Sequence, residues 1–118
     1  MKKMKELSIA VTLPASIEWE DYQKELDMVK DGKQVMNFKV PFLPKKESRP
    51  LIKKCYLIWR GHIMGWQSVC GFVENNNFTC TTTDKQWNGN FIQRTGEFHK
   101  LDNPIDMMGF RGWKYIYI

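Results

Sequence analysis

Aromatic rings, basic side chains and glycines alternate through Met107-Met108-Gly109-Phe110-Arg111-Gly112-Trp113-Lys114-Tyr115-Ile116-Tyr117-Ile118. A flat ring can stack on a nucleobase, and a lysine or arginine beside it can neutralise a phosphate. Arg111, Trp113 and Lys114 therefore carry the parts of a nucleic-acid surface. They equally carry the parts of a plain strand with solvated charges, which is the commoner use of such a pattern. The glycines admit backbone or ligand where a side chain would block. The aromatic and β-branched run predicts a strand over residues 114–118.

Trp59, Trp66, Trp87 and Trp113 are the candidate stacking walls, although core filling is the usual task of tryptophan. Trp66 follows Gly65 and precedes Gln67-Ser68, while Trp113 stands between Gly112 and Lys114. Small and polar flanks single out these two rings as the accessible ones. Trp59, in Cys55-Tyr56-Leu57-Ile58-Trp59, fits either face of its strand.

Bond-making chemistry has weaker support. Cys70 could meet His62 or His99 in space, but no spacing indicates such a pair. A free cysteine on a strand is usually a small buried apolar residue. Thr81-Thr82-Thr83-Asp84 is explained by a threonine-rich strand end and an aspartate turn. His99 suits a base edge or a phosphate, and equally a surface loop. Cys55, Cys70 and Cys80 are odd in number and lack C-x-x-C spacing, so neither a disulfide framework nor a zinc site is expected, and no cofactor is called for.

The elements that must position these residues follow from length and patterning. A chain of 118 residues forms one domain with a real core. Its formal charge of +5 and pI near 9.2 lean towards anionic partners. No apolar run approaches a membrane span and no signal-peptide core follows the basic start, so a reducing cytoplasm is expected. Leu7, Ile9, Val11 and Leu13 recur at the period of a half-buried strand, which Pro14 ends. Ser16 then caps a helix carrying Trp19, Tyr22, Leu26 and Val29 on one face, with Gly32 at its close. Residues 35–40 read as a strand. Residues 41–54, with Pro41, Pro44 and Pro50 among Lys45, Lys46, Arg49, Lys53 and Lys54, read as an exposed basic loop, either a solvated connection or a phosphate-contacting arm. Beyond Cys55 the chain is β-rich, with turns expected at residues 60–62, 74–77 and 95–96. Short strands with glycine at their bends favour a closed or nearly closed antiparallel barrel covered by the helix.

Three stretches carry a family likeness. They are residues 29–40 (Val29-Lys30-Asp31-Gly32-Lys33-Gln34-Val35-Met36-Asn37-Phe38-Lys39-Val40), residues 56–66 and residues 104–115. The first resembles the ASCH signature, where a helix runs through glycine and lysine into a strand. The second is similar to that family's central hairpin, and the third to its closing strand. The chain thus resembles the PUA-like superfamily, in particular its ASCH branch, with EVE and YTH domains as more distant relatives. The resemblance implies an RNA- or modified-DNA-binding barrel that holds a base in a cleft. It also implies a second activity, since some ASCH proteins are hydrolases or ribonucleases. The hydrolase pattern puts a lysine and a threonine where this chain has Gln34 and Asn37. Glutamine does not titrate, and Lys33, one residue away, points to the opposite strand face.

The resulting expectation is an α+β fold: a small PUA-like β-barrel of about six or seven strands with one principal amphipathic helix. It would act as a non-catalytic module that recognises RNA or a modified base. Lys33, Gln34, Asn37 and Lys39 would line one cleft edge, Arg60, Arg94 and Arg111 would neutralise phosphates, and Trp66 and Trp113 would stack. Two alternatives remain open. One is a protein-interaction module, such as a phage-encoded modulator of a host enzyme; the other is an ASCH-type hydrolase or ribonuclease.

Overall fold

A computed structural model describes residues 6–79 and 86–117. The first strand, β1 (Leu7–Thr12), buries Ile9, Ala10 and Val11. Helix α1 (Trp19–Met28) follows, with Tyr22, Leu26 and, just past its end, Val29 turned inward. Strand β2 (Met36–Val40) leads into a segment broken by prolines, within which Arg49–Leu51 make a single 3₁₀ turn. Strands β3 (Ile52–Trp59) and β4 (His62–Thr79) form a hairpin through Arg60 and Gly61, both at positive φ. Strand β5 (Gln86–Asp106) returns along β4, and β6 (Trp113–Tyr115) closes the described chain.

The six strands among the described residues make one mixed sheet in the order β2-β5-β4-β3-β1-β6, curled into a half-barrel. Among the described strands only β1 and β3 run parallel, Ile9 lying opposite Cys55 and Val11 opposite Leu57. Curling brings the exit of β2 to β6, where Gly112 at φ 73 turns the chain beside the Pro41 ring. A Cβ at Gly65 would collide with the His99 carbonyl and the Phe98 ring, so close β4–β5 approach demands glycine there.

Side chains from alternate strand positions build two apolar layers. The concave layer, under α1, contains Ile9, Val11, Leu13, Tyr22, Leu26, Cys55, Leu57 and Ile92. The convex layer contains Ala10, Tyr56, Ile58, Ile63 and Ile116, with Leu101, Met107 and Phe110 packed on it. Burial on both faces explains why β3 reads as an unbroken apolar run.

Several sequence expectations need correction. The barrel is half-formed, with β2 and β6 as edges, and one strand pair is parallel. No turn interrupts residues 74–77, because β4 runs on to Thr79, and β5 passes through residues 95–96 without breaking. Register shifts along β4 and β5 absorb the irregular residues that resembled turns. Ser16 does not cap α1; the N-cap is Glu18, whose side chain makes no capping bond. Gly32 lies beyond the C-cap Val29. Strand β3 begins at Ile52, inside the expected loop. Residues Cys80 to Asp84 and the side chain of Trp87 lie outside what is described.

Candidate nucleic-acid interface

Trp113, Tyr115 and Tyr117 occupy alternate positions at the sheet edge, so their side chains share one face. Across from them lies the proline-broken segment after β2. Between the two runs an open groove of about 550 Å³, lined by Phe42, Leu43, Lys45, Trp113, Tyr115 and Tyr117 among others. The Trp113 indole donates its Nε1–H to the Phe42 carbonyl at 2.9 Å. Its ring lies 5.6 Å from that of Phe42 and 5.0 Å, edge-on, from that of Tyr115. Trp113 is thus held by two neighbours and half-buried on the concave core, while Phe42 and Tyr117 are well exposed. Lys45 contributes a cation to the wall, and Lys46 beside it is exposed. Arg49 is less free: its Nε–H bonds the Pro44 carbonyl at 2.9 Å and its Nη2 lies 3.7 Å from Glu74.

The other predicted residues scatter around the sheet. Trp66 is on the convex face, in a cross-strand row formed by Lys114, Ala10, Tyr56, Trp66 and His99. His99 on β5 stacks on its ring at 3.9 Å and 15°, and Lys54 on β3 sits 4.5 Å from its centroid. Flanked from both neighbouring strands, this ring has its faces covered by its own protein. Arg60 lies at the β3–β4 turn, 4.4 Å over Trp59, with Nε donating to the Ala15 carbonyl and Nη2 3.7 Å from Glu18. Arg111 is exposed in the approach to β6.

Lys33, Gln34, Asn37 and Lys39 belong to the entrance and body of β2, at the opposite end of the strand order from β6. The Gln34 main-chain carbonyl accepts from Thr95 Oγ1 at 2.7 Å, and the Asn37 Oδ1 accepts from Gln93 Nε2 at 3.1 Å. None of these four residues lines the groove at Trp113.

Arg94 requires the plainest correction. It is 1 % exposed, on the concave side, and cannot present its guanidinium to a phosphate. Its Nη1 donates to Gln67 Oε1 at 3.2 Å and its Nη2 to the Tyr22 hydroxyl at 3.1 Å. Burial pushes the Tyr22 hydroxyl above its ordinary pKa although Arg94 opposes the shift, so a neutral phenol accepts that bond. Burial likewise lifts the Cys55 thiol to about 11 and raises Cys70. Neither cysteine is an activated thiolate. Among the described residues no cluster of three or more His, Cys, Asp or Glu side chains is placed to hold a metal.

Sequence reasoning missed Phe42, Leu43, Tyr115 and Tyr117, while Lys45 falls in the basic segment already weighed as a phosphate-contacting arm. Tyr115 and Tyr117 were within reach, since they share the parity of Trp113. Phe42 and Leu43 were not, because only the curl of the sheet carries them to β6. No protein-family model, curated protein or solved structure matches this chain.

Proposed function

We propose that this domain is a PUA-like, ASCH-related module that binds single-stranded nucleic acid without catalysis, seating a base of RNA or of modified DNA in the β6 groove. The observation that carries the reading is the meeting of Phe42, Trp113 and Tyr115 with Lys45 in one open groove. Stacking on such rings is worth about 1–3 kcal/mol per base, and lysines beside them favour phosphates. The net charge of +5 acts in the same direction. Gln34 and Asn37, where the resembling hydrolases carry lysine and threonine, supply no titrating group for hydrolysis. Among the described residues, no helix is long and apolar enough to cross a membrane, and Cys55 and Cys70 are free thiols. A reducing cytoplasmic setting belongs to the same proposal.

Tryptophan fluorescence titration with short single-stranded RNA and DNA at two salt concentrations tests it. The expected result is saturable quenching that weakens at the higher salt. Silence towards every oligonucleotide at low salt overturns it. In that case the exposed Phe42 and Tyr117 favour the second reading, a docking surface for a protein partner.

A further inference from the structure

The backbone of β6 adds a recognition element that its side chains do not reveal. The Ile116 N–H donates to the Ser8 carbonyl at 3.0 Å, and the antiparallel register pairs Ala10 with Lys114, Ile9 with Tyr115 and Val11 with Trp113. Ser8 and Ile116 thus form a hydrogen-bonded pair, and alternation makes Ala10 and Lys114 the next one. Trp113 and Tyr115 fall between these pairs, so their amides and carbonyls point away from β1. Among the described residues β6 is the last strand of the sheet, and the groove that Trp113 and Tyr115 line continues onto Phe42 and Lys45 of the segment after β2. The Trp113 carbonyl and the Tyr115 N–H flank Lys114 on the side away from β1, one accepting and one donating.

We infer that the β6 main chain engages the Watson–Crick edge of an unpaired base, with the Trp113 carbonyl accepting and the Tyr115 N–H donating. Every nucleobase has a donor beside an acceptor on that edge: amino group and ring nitrogen in adenine and cytosine, ring N–H and carbonyl in guanine, uracil and thymine. Main-chain pairing of this kind accepts any unpaired base and excludes a paired one, because the duplex uses the same edge. The inference rests on the nucleic-acid reading and narrows it to single strands with low base preference.

An extended peptide adding to β6 would use the same groups. The open edge is short for that purpose. β6 spans Trp113–Tyr115, and near its start the Trp113–Phe42 bond ties the facing segment to it. Strands ordinarily run to about five or six residues, so this edge offers a partner strand less than the usual length. A single planar base fits the short edge, and Lys45 supplies the charge its phosphate calls for.

The deciding experiment titrates the intact protein with oligouridine, with the same oligomer built from N3-methyluridine, and with oligouridine annealed to its complement. N3-methylation removes the donor meant for the Trp113 carbonyl while leaving ring faces and phosphates in place. The expected result is about a tenfold or greater loss for the methylated strand, since it leaves a desolvated carbonyl unpaired, and a similar loss for the duplex. Equal binding of methylated and unmethylated strands overturns the main-chain inference and leaves the groove reading standing. Failure of all oligonucleotides overturns both. Tyr115→Pro beside Tyr115→Ala supplies an independent check, because proline is tolerated at an outward-facing N–H of an edge strand. The proline variant should bind oligouridine about tenfold more weakly than the alanine variant; equal affinity for the two variants also sinks the inference.

Discussion

The interior under α1 and the groove at β6 both set basic side chains among aromatic rings, with opposite consequences. Inside, Arg94 lies 5.9 Å from the Phe38 ring and bonds Tyr22 and Gln67. Its Nε and the Nε2 of Gln67 have no hydrogen-bond partner among the described residues. At the groove, Lys45 faces solvent beside Phe42, Trp113 and Tyr115. The first arrangement consumes the cation in holding the core together, and the second leaves one free for a ligand. Residue type does not separate the two cases. Strand parity and the cover supplied by neighbouring elements do.

The largest effect that would sharpen this contrast comes from Arg94. Arg94→Ala removes the donor to two buried acceptors and opens a cavity, at a cost of about 2–5 kcal/mol. Arg94→Met, which fills the space without the uncompensated charge, should lose much less. Urea unfolding of the two variants measures both. If alanine proves as stable as the parent, Arg94 is not a structural residue and the contrast fails.

A second interior effect appears in alkali. The Cys55 thiol has its folded pKa raised to about 11 from an ordinary 9.0. Because the raised group is an acid kept neutral by burial, its contribution is complete below pH 9 and is lost as pH rises towards 11. Two units correspond to about 3 kcal/mol at most. Stability measured against pH should therefore fall more steeply above pH 9 in the parent than in Cys55→Ala. Parallel curves would show that the thiol titrates freely.

Trp113→Ala tests the groove side of the comparison. It should weaken oligonucleotide binding by about 1–3 kcal/mol and folding by less, because the ring is only half-buried. Trp113→Phe keeps a stacking face but loses the bond to the Phe42 carbonyl, and should retain most of the binding. Fluorescence titration and urea unfolding on the same samples separate the two quantities. Loss of folding equal to the loss of binding would assign Trp113 to the core alone.

The sequence shows period and punctuation better than cover. Alternation in Leu7, Ile9 and Val11 and the helical spacing of Trp19, Tyr22 and Leu26 marked β1 and α1, since each pattern reflects burial against one neighbour. Glu74 to Asn77 resembled a turn because asparagine-rich runs favour turns, yet pairing with β5 carries Asn76 and Asn77 within β4. Trp113 was legible as a groove residue, whereas Trp66 has similar flanks and is covered. What decides between them are Lys54 and His99, one 12 residues before and the other 33 residues after Trp66 in the numbering, brought alongside by strand register.

Trp66 therefore yields the smallest prediction and the most direct comparison with Trp113. With His99 stacked on it and Lys54 over it, the ring has no free face for a base, so Trp66→Ala should leave oligonucleotide affinity within about twofold of the parent, less than the smallest stacking contribution. The cation–π contact is half-exposed, and Lys54→Ala should cost about 0.5–1 kcal/mol of stability. If Lys54 also meets phosphate, that variant lowers the salt slope of binding by about one unit; if it serves only to cover Trp66, the slope is unchanged. A Trp66→Ala variant that loses affinity as Trp113→Ala does would place the ligand on the convex face and break the comparison.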